Sequence, residues 1–142
     1  MKKLFALAIL GLLYFNSQAQ IYESEELDEP EESEDIFEIW DVSQKASFPG
    51  GDDSLWQFIA QNLQYPQLAK DSSIEGRVML QFVVDTFGQV VEVEHLGAKN
   101  GFGLEQEAMR VLKLTSGMWT PAMQREKKVR MRFRVPIKFT LY

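Results

Sequence analysis

The sequence predicts an α+β fold, helices and antiparallel strands around one core, on three observations. Every odd position from Val129 to Leu141 is apolar, while the even positions from Arg130 to Lys138 are basic or proline. Only a strand sorts a period of two onto separate faces. Val78, Leu80, Phe82 and Val84 alternate in the same way, and Gly88 separates them from a second valine-rich run, as in a hairpin. Two further stretches, around Leu55 to Leu63 and Leu104 to Thr115, place their apolar residues at helical spacing.

In chain order, Met1-Lys2-Lys3 precedes an uncharged apolar run, Leu4 to Phe15, and then Asn16-Ser17-Gln18-Ala19. These are the three parts of a cleavable secretory signal, here residues 1–19, and they predict an exported mature chain beginning at Gln20. An uncleaved inner-membrane anchor is the alternative. It is disfavoured because a span needs about 20 mostly apolar residues, whereas the unbroken run here has twelve. After cleavage no stable membrane span is expected. The chain has no cysteine, so lipoprotein attachment, disulfides and thiolate metal sites are all excluded.

Residues 20–47 form an acidic linker. Between Glu23 and Asp41 stand eleven carboxylates and no basic residue, while Val42 to Tyr142 carries 13 basic against 10 acidic residues. A run of like charge repels itself and stays extended. Ile36, Phe37, Ile39 and Trp40 interrupt the acidity at its end. Two readings stay open for them: a sticky segment that docks on the domain, or a solvated spacer. A −11 leader tethered to a +3 domain is also expected to visit its basic strand and weakly inhibit binding there, more so at low salt.

The folded domain is placed at residues 48–142. Asp52, Asp53 or Ser54 can cap a first helix carrying Leu55, Trp56, Phe58, Ile59 and Leu63 on one stripe. Tyr65-Pro66 breaks it, and Pro66 opens a short second helix that turns Leu68 and Ala69 inward. Gly76 leads into the first strand of the hairpin. The second, Gln89 to Leu96, needs a bulge, because Val90, Val91 and Val93 cannot share a face. Leu104, Ala108, Val111, Leu112 and Thr115 form the last helix, with Glu105 and Glu107 at its start and Arg110 and Lys113 near its end, as the helix dipole favours. Met118-Trp119-Thr120-Pro121 is an extended exit, and Gln124 to Lys128 a polar connection.

The final strand then carries Pro136. Proline donates no hydrogen bond to a ladder, so its nitrogen faces away from a neighbour and the strand lies at an edge. Alternate residues point their backbone groups to opposite sides. The backbones of Arg130, Arg132, Arg134, Pro136 and Lys138 therefore face outward, as a candidate peptide-binding edge, provided no bulge intervenes.

No catalytic constellation emerges. His95 is the single histidine, with no second imidazole or thiol to share a metal, and a structural or surface role is the simpler reading. Glu92 and Glu94 read as solvated charges rather than a glycosidase pair. Gly97 to Gly103 lacks the pattern of a phosphate loop. The basic row argues weakly for nucleic acid against an acidic chain with an export signal and no aligned aromatic row. No cofactor, metal or nucleic acid is expected.

Taken together, the order of elements and its punctuation resemble the C-terminal domain of TonB. The residues that carry the likeness are Tyr65-Pro66, Ala69, Gly76, Val78, Phe82, Val84, Gly88, Val90, Val93, Ala108, Trp119-Thr120-Pro121, Val129, Pro136 and Phe139, with Phe48-Pro49-Gly50-Gly51 similar to the lead-in of one subgroup. The resemblance implies a three-stranded antiparallel sheet ordered second, first, third, with helices on one face. It also implies a part in energised transport across an outer membrane, where the domain grips a short extended segment of a TonB-dependent transporter, the TonB box. The residues alone suggest the same main-chain pairing at a free edge.

Three features depart from the family pattern. Full-length relatives carry an uncleaved anchor and a long proline-rich spacer, in place of the cleavable signal and short acidic leader read here. Phe87 stands where aspartate is common, and Gln124 to Lys128 lacks the usual glycine. A structural or regulatory domain that homodimerises through the same edge is the runner-up, and an envelope enzyme is the third reading.

Overall fold

The computed structural model describes residues 34–142. The expected signal peptide and most of the acidic run lie outside them. Eight elements follow one another: β1 (Ile36–Phe37), α1 (Asp52–Asn62), α2 (Gln67–Asp71), β2 (Gly76–Val84), β3 (Val90–Leu96), α3 (Leu104–Lys113), β4 (Ala122–Gln124) and β5 (Lys127–Phe139). The fold is α+β, as expected.

The three anticipated strands are present, antiparallel and in the anticipated order, β3-β2-β5. The sheet is nevertheless not three-stranded. It has five strands and is mixed, because β1 pairs parallel to β5 on the side away from β2, and β4 pairs antiparallel with the start of β5. Both additions are too short for a periodicity to show. Ile36 and Phe37 are two apolar residues among carboxylates, and they dock, so the sticky-segment reading holds for this pair. Residues 38–47, assigned to the linker, continue along the domain, with Gln44 bridged to Met123 and Ser47 to Thr120.

The polar connection from Gln124 to Lys128 is a β4–β5 hairpin. Its turn residues Arg125 and Glu126 both have positive φ, 49° and 65°. Such turns are usually announced by Asn-Gly or Asp-Gly, and without those residues the hairpin left no mark in the sequence.

Val78, Leu80, Phe82 and Val84 of β2 are fully buried, and so are Leu104, Ala108, Val111 and Leu112 of α3. They meet in one core with Leu55 and Ile59 of α1 and with Met131, Val135, Ile137 and Phe139 of β5. The expected bulge lies at Glu92, whose φ is 52°, where the β2–β3 register slips opposite Phe82. Three local expectations differ. The cap of α1 is Gly51 and not a side chain, with Asp52 and Asp53 inside the first turn. Leu68 is exposed, since α2 is a single turn that buries only Ala69. The parity of the last strand also predicts that Phe133 buries its side chain with Val129, Met131, Val135 and Ile137, whereas Phe133 is half-buried.

Candidate functional site

The register between β2 and β5 runs without interruption from Gly76–Phe139 to Val84–Met131, so no bulge falls between Phe133 and Pro136. Pro136 lies opposite Met79. Having no N–H, it occupies a pair that exchanges no hydrogen bonds, and alternation turns the backbones of Arg134, Arg132 and Arg130 outward with it. Side chains obey the same parity: Met131, Val135, Ile137 and Phe139 are buried, while Arg134 and Lys138 are exposed and Arg130, Arg132 and Pro136 are intermediate.

The outward edge is not wholly open. β1 pairs Ile36 with Arg130 and Phe37 with Met131, so the edge is covered at its start and uncovered from about Arg132 onward. The five predicted site residues lie on one strand but have different partners. Arg130 reaches the Glu34 carbonyl at 3.4 Å and the Glu92 carboxylate at 3.7 Å. Arg132 donates to the Glu38 carboxylate, and Arg134 to Gln81 Oε1 at 2.9 Å. Lys138 points into solvent.

Beside the uncovered part of the edge runs a groove of about 370 Å³, walled by Arg132 to Pro136 on one side and by Glu38, Ile39, Trp40, Lys45 and Trp56 on the other. Trp40 is 73% exposed and Trp56 40%. Large aromatic rings left in water beside unpaired backbone are suited to a chain that brings both apolar side chains and main-chain hydrogen bonds. The sequence signalled these residues only as apolar interruptions of an acidic run and as one flank of a helical stripe.

The remaining motif residues hold the frame behind this edge. Trp119 is buried, its indole N–H donating to Thr115 Oγ1 at 3.0 Å while that hydroxyl donates to the Leu112 carbonyl at 2.6 Å. Phe48, Phe82 and Phe133 surround it with ring centroids 5.2–5.7 Å away. Phe133 therefore ties the edge strand to the Trp119 cluster. Pro121 follows Thr120, whose backbone is paired with Ser47 in both directions.

Gly88, at φ 78°, donates its N–H to the Asp85 carbonyl and accepts from the Gly117 N–H at 2.9 Å. A Cβ there would sit 2.1 Å from the Trp119 carbonyl oxygen, so the glycine is required by both conformation and space. Asp85 organises this turn, its Oδ1 accepting from the N–H groups of Phe87 and Gln89. Phe87 itself is left exposed. Gly76 is crowded differently, by the Asn100 side chain, which also donates to the Arg77 carbonyl at 3.0 Å.

Tyr65 donates its phenolic hydrogen to the Ile74 carbonyl and packs edge-on against Phe139, the rings 5.6 Å apart. Burial and then the Glu75 carboxylate raise its pKa. Pro66 precedes α2 as its cap residue. Glu105, which sequence reasoning treated as a dipole charge only, is 5% exposed and accepts from the N–H groups of Asn100 and Gly101. Burial opposes its ionisation, yet these backbone donors, its own N–H and nearby His95 bring its pKa below the ordinary range. It locks the glycine-rich loop; His95 lies at its side. Among the described residues no cluster of His, Asp or Glu could hold a metal ion, and no helix is long and apolar enough to cross a membrane.

The family profile described as Gram-negative bacterial TonB protein C-terminal matches residues 61–141. Among curated proteins none matches significantly. Two NMR solution structures of the Helicobacter pylori TonB C-terminal domain are similar to this chain. One is 21% identical, with a TM-score of 0.50, covering 66% of this chain and 87% of that one. A shorter fragment of the same protein is 22% identical, with a TM-score of 0.48, covering 62% and 90%. At such identities the likeness of the first speaks for the fold alone. The profile match takes in more than half of the chain and every motif from Tyr65 to Phe139, and on that ground the chain belongs to the TonB C-terminal domain family.

Proposed function

We propose that this domain works in the periplasm, where it binds an extended segment of a TonB-dependent outer-membrane transporter by taking it as an added strand on the outer edge of β5, in energised transport. The observation that carries the reading is the uncovered run from Arg132 to Lys138, with backbone groups facing outward beside a groove floored by Phe133 and rimmed by Trp40 and Trp56. Main-chain pairing supplies affinity in strand addition, and the pockets beside the edge supply selectivity. Binding rather than catalysis fits the groove's charges, which are matched to neighbours: Glu38 with Arg132, Lys45 with Asp52 at 3.6 Å, and Arg134 with Gln81.

The test uses proline as a donor-specific deletion. Arg134→Pro removes an outward N–H beyond the part that β1 covers, and is expected to abolish binding to a detergent-solubilised transporter while leaving thermal unfolding nearly unchanged. Arg134→Ala separates the lost charge from the lost donor and should retain most binding. Phe133→Pro, one position away, should unfold the domain, because it removes a ladder bond opposite Phe82 and a ring stacked on Phe82 at 5.5 Å. If Arg134→Pro binds as well as the parent chain, the edge is not the site. Light scattering on the same samples reports the runner-up, in which two copies pair through β5 and the mass doubles.

A further inference from the structure

We infer that the acidic segment Glu34 to Glu38 is a built-in competitor for this edge, and that the external partner is a short extended peptide of the same chemistry: two apolar residues flanked by carboxylates, running parallel to β5. The inference rests on the reading just given and adds to it the regulation of the site and the character of its ligand.

The segment already does what an incoming strand would do. Ile36 and Phe37 add in parallel to the outer edge at Arg130 and Met131. The Glu38 carboxylate is held by Arg132, and the Glu34 carbonyl lies within reach of Arg130. Backbone pairing, apolar contact and a carboxylate on arginine are therefore all in use, on the same strand and side as the uncovered stretch. The attachment is slight, two residue pairs long, and its ion pair is partly exposed, with side chains about a third and a quarter accessible. Such a pair is weak alone and weakens further with salt. The chain then turns at once, the Asp41 N–H donating to the Glu38 carbonyl at 2.9 Å. That turn sets Ile39 and Trp40 on the rim of the groove. A strand held this lightly is displaceable, and a ligand that needs the edge free binds with an affinity reduced by the fraction of time it is free.

The probe is a fluorescein-labelled peptide with the sequence of residues 33–41, Ser-Glu-Asp-Ile-Phe-Glu-Ile-Trp-Asp, titrated by anisotropy into the full chain. Glu38→Arg sets like charges against each other at Arg132 and should release the internal strand. Phe37→Gly is the second release variant, acting through lost packing rather than charge. Both are checked for a folded state by thermal unfolding. Released chains are expected to bind the probe about tenfold more tightly than the parent, as for an edge free roughly a tenth of the time. A probe with lysine in place of its second glutamate, the counterpart of Glu38, should not bind. Equal affinity for parent and released chains, or no uptake by a folded released chain, overturns the inference.

The two readings fail separately when a detergent-solubilised transporter is titrated alongside. If the transporter binds parent and Glu38→Arg equally, the competitor is refuted and the transporter reading stands. If released chains take the probe but no variant takes the transporter, the edge accepts this chemistry and the transporter reading falls.

Discussion

Gly88→Ala tests the tightest of the glycine positions among the described residues. The added methyl must first accept φ near 78°, which costs an L-residue about 1–2 kcal/mol. It must also displace the Trp119 carbonyl oxygen, 2.1 Å from the Cβ position. Overpacking of this kind costs roughly 1–3 kcal/mol when the neighbour can shift. Here the neighbour is backbone, fixed by the Gly117–Gly88 hydrogen bond and by the Thr120–Ser47 pair. Stiffening the unfolded chain returns about 0.4–1 kcal/mol.

The net is about 3 kcal/mol, and at roughly 4–8 °C per kcal/mol for a domain of this size the Tm should fall by about 12–24 °C. Gly97→Ala is the matched control: φ is 82°, but a Cβ there meets nothing within 4 Å, so only the conformational part remains, about 1 kcal/mol or less. Circular dichroism melts of the parent and both variants decide the matter. Equal losses for the two glycines would show that the contact with Trp119 carries no cost and that the space argument is wrong.

Two other outcomes follow from buried polar groups. Thr115→Val keeps the shape but strands the Trp119 N–H, since Thr115 Oγ1 is its acceptor; a buried donor left without a partner costs about 1–3 kcal/mol, to be read from urea unfolding followed by tryptophan fluorescence. Glu105 has a pKa lowered in the folded chain, so its contribution to stability is complete above the ordinary glutamate pKa and is lost as pH falls through the lower folded value. Melts between pH 7 and pH 3 should therefore show an acid-side decline that is shallower in Glu105→Gln, whose stability at neutral pH should be reduced; parallel curves for the two chains would refute the role assigned to this carboxylate.

The long elements were legible because each repeats its signal. β2 repeats a buried apolar residue at every second position from Val78 to Val84 and β5 an apolar one from Val129 to Phe139, and α3 buries four stripe positions. Pro136 even gave the side to which the backbone turns, since a missing N–H is a chemical fact independent of fold. The short elements were illegible for the opposite reason. Two residues of β1 and three of β4 are below the length at which any period can be told from chance, and the Arg125-Glu126 turn has positive φ without the residues that usually accept it. The same limit affects the site. The basic row on β5 could be read, but the partial cover by Ile36–Phe37 and the aromatic rim depend on residues far apart in sequence, which local pattern does not encode.

Phe48 has a consequence for where this module can be cut. Its ring lies 5.6 Å from Trp119 and 5.7 Å from Phe58, and with Ala46, Leu55 and Ile59 it belongs to the core, yet these four and Phe58 precede Gln61, where the family match begins. The start of the family match thus falls in the middle of the packing unit. A graft or excised fragment opened at that border would leave the Trp119 indole bare on its Phe48 flank and α1 reduced to its last two residues. A transplant meant to stand by itself has to begin no later than Ser43, where the upstream chain first pairs with Met123.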